Sequence, residues 1–175
     1  MVQRFRPGAG TSDLANVERY LGQPLPDELR MWWRWHDGAM AEPHERLSRV
    51  SLGPSFNFLG TNRAIEFSQQ MRKMAFEIDP DDPNSGWASN WVAISSTGPV
   101  ACNAGIDLGG QAPVLDVDYH HTSEPGRAVA ISLGEMVRWW IEALESGAWL
   151  YDREADSWKR RDELVPRERE LTGLV

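Results

Sequence analysis

Residues 21–38, LGQPLPDELRMWWRWHDG, decide how the rest of the chain is read. Gly22 predicts the end of one helix, since glycine enters left-handed backbone without steric cost, and Pro24 keeps that helix from running into the next. Pro26 suits the first position of a new helix, where its missing N–H costs nothing. On a helix over 26–36, Leu25, Leu29, Trp32, Trp33 and His36 share one face, and Met31 and Trp35 fall off it. Gly38 is placed to cap that helix with a positive φ. A face carrying two tryptophans needs a substantial partner surface, so this helix is expected to form one wall of the core.

Working outward, residues 1–11 read as a loose N-terminal arm. Ser12 or Asp13 then caps a helix in which Leu14, Val17 and Leu21 share a face. Downstream, 39–50 is a polar connector and 55–59 a short strand closed by Gly60. Thr61 is the expected N-cap of a helix whose stripe is Ala64, Phe67, Met71, Met74 and Ile78. The stretch 79–86, DPDDPNSG, is a turn-rich acidic loop. Strands follow at 87–94, with Val92 and Ile94 on one face and Trp91 on the other, then at 100–102 and 114–119. Short turns between them make an antiparallel meander.

Ser132 and Glu135 form a capping box. The helix it starts presents Leu133, Met136, Val137, Trp140, Ile141 and Leu144, and Gly147 ends it. Helices, then strands, then a closing helix give an α+β fold, a small antiparallel sheet packed against about four helices. The domain is expected to span 12–147, with a C-terminal extension over 148–175. In that extension Trp149, Tyr151 and Trp158 flank the polar turn DREAD, which predicts a hairpin.

At 175 residues the chain is long enough to bury a core without a disulfide or a metal. A net charge of −8 argues against a phosphate-neutralising surface and hence against nucleic acid as partner. It suits a basic protein partner, and equally a plain solvated surface. The single cysteine, Cys102, excludes an internal disulfide and a cysteine-rich zinc site. No apolar run approaches the roughly 20 residues of a membrane span, and MVQRFRPGAG lacks the apolar core of a secretory signal. A cytoplasmic protein without membrane contact is the expectation. Arginine outnumbers lysine sixteen to two, which fits a GC-rich bacterial genome.

The order of these segments resembles the SMI1/KNR4 family of the SUKH superfamily. The residues that carry the likeness are Leu21-Gly22, Leu25-Pro26, His36-Asp37-Gly38, Trp87 with Trp91 to Ile94, Asp116 and its neighbours, and Ala130-Ile131-Ser132-Leu133 at the entry to the last helix. The likeness spans 12–147 and departs from the usual pattern after Gly98, where the chain reads PVACNAGID. The resemblance implies an α+β binding module rather than a catalyst. Bacterial members are mostly taken as immunity proteins that neutralise toxins, and fungal relatives are linked to cell-wall regulation. It carries over scaffold residues and no active site.

Signatures of catalysis are missing: no nucleophile elbow, phosphate loop or zinc-protease motif is present. Asp116, Asp118 and His120 alternate on one side of a strand, an arrangement open to a metal or acid–base site, an acidic partner face or an ordinary solvated face. The 79–86 loop has the composition of a calcium loop without its spacing. His36 and the Met71/Met74 pair read as packing residues.

The expectation is therefore a non-catalytic protein-binding module with no cofactor and no bound metal. Its partner would be a polymorphic toxin domain, such as a nuclease, blocked by occlusion. The contact residues would be Asp79, Asp81, Asp82, Trp87, Asp116, Asp118 and Trp35. A regulatory scaffold with no toxin partner is the alternative, and an enzyme built on Asp116, Asp118 and His120 is the third reading.

Overall fold

A computed structural model describes residues 5–39, 57–82, 86–96, 102–109, 111–117, 126–155 and 157–164. Among these, the helices are α1 (Thr11–Leu21), α2 (Asp27–Trp35), α3 (Thr61–Ile78) and α4 (Leu133–Glu145). The strands are β1 (Asn57–Phe58), β2 (Trp91–Ser96), β3 (Cys102–Asp107), β4 (Val114–Asp116), β5 (Arg127–Ala130), β6 (Trp149–Asp152) and β7 (Ser157–Arg160). β1 to β5 pair in sequence order as an antiparallel meander, and β6 and β7 form a separate hairpin. The fold is α+β, as the segment order implies.

The 21–38 stretch builds the corner between α1 and α2. Gly22 takes φ +72 and its N–H donates to the Glu18 carbonyl, closing α1. Glu18 then reaches across the turn: its carboxylate accepts from the Leu25 N–H at 3.0 Å and from Arg30 at 2.6 Å. Pro26 is the N-cap rather than the first helical residue, and its carbonyl accepts from Arg30 N–H. Leu25, Leu29 and Trp33 are buried, whereas Trp32 is half-buried.

His36 is not a residue of the packed face. It lies past the last helical turn in extended backbone, half-buried, and its Nδ1 donates to the Arg6 carbonyl at 2.9 Å. Gly38 has the expected positive φ, +80, but it does not cap α2. It packs backbone to backbone on Gly60, where an added Cβ would meet Gly60 N at 2.3 Å. Next to this contact, Asp37 accepts a 2.6 Å hydrogen bond from Thr61 N–H and so serves the N-terminus of α3, whose own N-cap is Gly60. Thr61 is thus the first helical residue, not the cap.

Three further expectations change in three dimensions. Residues 5–9 are not loose: Phe5 is buried and bridges Ala39, Arg6 N–H donates to the Gly38 carbonyl, and Ala9 N–H to the Trp33 carbonyl. α1 starts at Thr11 with Gly10 as N-cap, and Asp13 reaches back to accept from Gly10 N–H. The stripes of α3 and α4 are offset from the predicted ones. Ala75 is buried where Met74 and Ile78 were expected, and Ala143 where Ile141 and Leu144 were expected. Of the expected capping box on α4 the Ser132 half forms, Glu135 N–H donating to Ser132 Oγ at 3.2 Å, whereas the Glu135 carboxylate accepts from Ile131 N–H, one residue before the cap.

α3 packs along β2 and carries α1, and α4 sits against α2, β5 and β6. Ser68 stitches α3 to the sheet, donating to the Ala64 carbonyl and accepting from Ala93 N–H. The β2–β3 register shifts between Ala93 and Ser95, a bulge that breaks the simple alternation; Val92, Ala93, Ile94 and Ser95 are all buried. One core joins the helices and both sheets, and it includes Ala148 and Trp149 from the start of the terminal hairpin. β5 falls at 127–130, outside the strands read from sequence.

Candidate functional site

Two surface features stand apart from the packed core. The first is the C-terminal end of α3. Phe76 is 55% and Ile78 72% exposed, with Met74 also exposed beside them. Immediately beyond lie Asp79, half-buried, and Asp81 and Asp82, exposed. Asp79 N–H closes the helix onto the Ala75 carbonyl, and the Asp79 carboxylate accepts from the N–H groups of Asp81 and Asp82 at 3.2 and 3.1 Å. This local turn holds the acidic residues in a defined arc next to the two apolar side chains.

The second feature is an apolar groove of about 440 Å³ between α2 and the first turns of α4. Met31, 63% exposed, and Trp35, 51% exposed, form one wall with Trp32, and Leu133 and Val137 form the other. Trp35 owes its exposure to falling off the buried face of α2. Its ring packs 4.5 Å from His36 and 5.4 Å from Trp32, centroid to centroid. Trp32 in turn packs edge-on against Phe58 at 4.7 Å. Glu28 lies at the groove and accepts from Gly134 N–H at 3.1 Å, serving the N-terminus of α4.

The predicted contact residues therefore divide. Asp79, Asp81 and Asp82 come together at the end of α3, and Trp35 lies on another helix, in the groove. Trp87 is a correction: it is 0% exposed, its ring packs edge-on to Trp91 at 5.8 Å, and it belongs to the core. Asp116 is the last residue of β4, paired with Ala104 and Arg127, and its side chain lies outside the described residues. Asp118 and His120 lie outside them as well, so the alternating triad has no described geometry. Sequence reading missed Phe76, Ile78 and the groove. Ile78 falls on the expected buried stripe of α3 and Phe76 on no predicted feature, and the groove depends on how α4 is set against α2.

Two titratable groups near α1 are shifted by their surroundings. Glu18 sits below the usual carboxylate range because it accepts from Leu25 N–H and, secondarily, faces Arg30. Burial raises the Tyr20 hydroxyl, over whose ring the Arg72 guanidinium stacks. Among the described residues no three metal-ligating side chains gather, and no helix is long and apolar enough to cross a membrane.

The model of the SMI1 / KNR4 family (SUKH-1) matches residues 8–139, well over half of the chain. No curated protein matches. The chain belongs to the SMI1/KNR4 family.

Proposed function

We propose that this SMI1/KNR4 family member is a non-catalytic binding protein of the immunity type, which neutralises a toxin domain by covering it. The observation that carries the reading is the pairing of exposed Phe76 and Ile78 with Asp79, Asp81 and Asp82 at the end of α3. Apolar anchors rimmed by charge divide the work of an interface: the desolvated side chains supply most of the affinity, and the charges speed and orient the encounter. The net charge of −8 extends that field and suits a partner with a basic surface, such as a nuclease built to hold phosphate. Occlusion asks no chemistry of the chain, only a rigid face, and the Asp79-centred turn supplies it. The place of action is the cytoplasm of the cell that the toxin threatens.

Co-expression tests this reading. A toxin domain encoded in the gene neighbourhood is produced with the wild-type chain or with the Phe76→Ser, Ile78→Ser double variant. Wild type is expected to restore growth and to co-purify with the toxin, and the variant, folded, to lose both. If no neighbouring toxin domain is bound or neutralised, the reading is wrong.

A further inference from the structure

We propose that the groove between α2 and α4 is a second, separate binding site, which takes an extended, proline-rich peptide segment carrying a basic residue. The proposal does not depend on the toxin reading, because it uses different residues on different helices. Its first support is the aromatic wall. Trp32 and Trp35 stand 5.4 Å apart with ring planes inclined by 56°, so they present two differently tilted indole surfaces to the same cleft. Aromatic-lined clefts of this kind accept the ridged surface of a polyproline II segment, whose conformation is already set before it binds. Met31, exposed and polarisable, and Leu133 and Val137 complete an apolar lining.

The second support is pre-organisation. Trp32 is fixed by its edge contact with Phe58, and Trp35 by Phe5 and His36 at 6.3 and 4.5 Å. Little side-chain freedom is then lost when a ligand arrives. Third is charge: among the residues lining the groove, Glu28 is the single charged one. One carboxylate oxygen accepts from Gly134 N–H, which holds the group at the groove, and Glu28 is itself exposed. That charge complements a Lys or Arg flanking the prolines.

The test is fluorescence polarisation with a labelled ten-residue peptide of alternating proline and alanine bearing one arginine, titrated with the full chain. A peptide of equal length and charge with glycine and serine replacing proline is the comparison. Saturable binding at least tenfold tighter for the proline peptide is expected. Trp35→Ala and, independently, Met31→Glu should each weaken it tenfold or more, with the circular dichroism spectrum unchanged. Glu28→Gln keeps an acceptor for Gly134 N–H and removes the charge. It should abolish the preference for the arginine peptide over its neutral version.

Equal binding of the two peptides, or binding indifferent to Trp35→Ala and Met31→Glu, overturns the proposal. So does preferential capture of an amphipathic helical peptide. Self-association of the chain that Met31→Glu abolishes would instead assign the groove to a second copy.

Discussion

The Asp37 carboxylate accepts the Thr61 N–H at 2.6 Å, tying the end of α2 to the start of α3 across 24 residues of chain. The His36-Asp37-Gly38 motif is thereby explained as a joint. Asp37 satisfies one of the orphan amides of α3, and Gly38 lets the two backbones touch at Gly60. Nearby, Trp33 Nε1–H donates to the buried Leu59 carbonyl at 2.9 Å, so the same corner is pinned three ways.

Asp37→Ala should therefore destabilise the fold by about 1–2 kcal/mol, the ordinary cost of a lost helix cap. Gly38→Ala and Gly22→Ala make a sharper comparison, because both sites have positive φ. At Gly22 an added Cβ meets nothing within 4 Å, so the cost is the conformational one, about 1–2 kcal/mol. At Gly38 it meets the Gly60 backbone, and the loss should be larger by a clear margin. Urea unfolding of the three variants checks the order.

Trp87→Ala should cost about 3–5 kcal/mol, the range for truncating a large buried aromatic. Toxin or peptide affinity, measured on whatever fraction stays folded, should be unchanged. Thermal melting followed by binding of the folded pool separates the two effects. Lost binding at intact stability would return Trp87 to the interface.

The terminal hairpin should respond to acid at a defined place. The Asp152 carboxyl is lowered from 3.8 to about 2, first by the 2.5 Å contact from Lys159 Nζ and then by backbone N–H groups of Ala155 and Glu154. A depressed carboxylate contributes stability that is present in full above about pH 4 and is lost as pH falls through about 2. NMR titration of Tyr151 and Trp158, whose rings pack edge-on at 5.4 Å, should show a midpoint near 2 in wild type. Asp152→Asn should remove that step.

Much of this architecture was legible in the sequence, for physical reasons that differ by segment. Gly22, the Ser132 cap and the DREAD turn act locally, so their residues announce them. The α3 and α4 stripes were misassigned because apolar residues there outnumber the positions that pack. Periodicity alone ranks Met74 with Ala75 and Ile141 with Ala143, and only the neighbouring elements decide between them. β5, four residues of Arg-Ala-Val-Ala, is too short to show a period. The Asp79 to Asp82 arc was readable as a charged turn, but its exposed neighbour Ile78 fell on the expected core stripe and Phe76 carried no signal of its own. The groove needed the docking of α4 on α2, which no stretch of either helix encodes alone.

The central claim is that the end of α3 engages a basic toxin domain, and association kinetics test it most directly. The on-rate for a neighbouring toxin domain is measured from low to high salt, for wild type and for the Asp79→Asn, Asp81→Asn, Asp82→Asn triple variant. The account predicts a wild-type on-rate that falls steeply with salt. The variant should start roughly tenfold slower at low salt and show a shallower slope, as expected when steering charges are removed. Identical on-rates and slopes for the two proteins would contradict it.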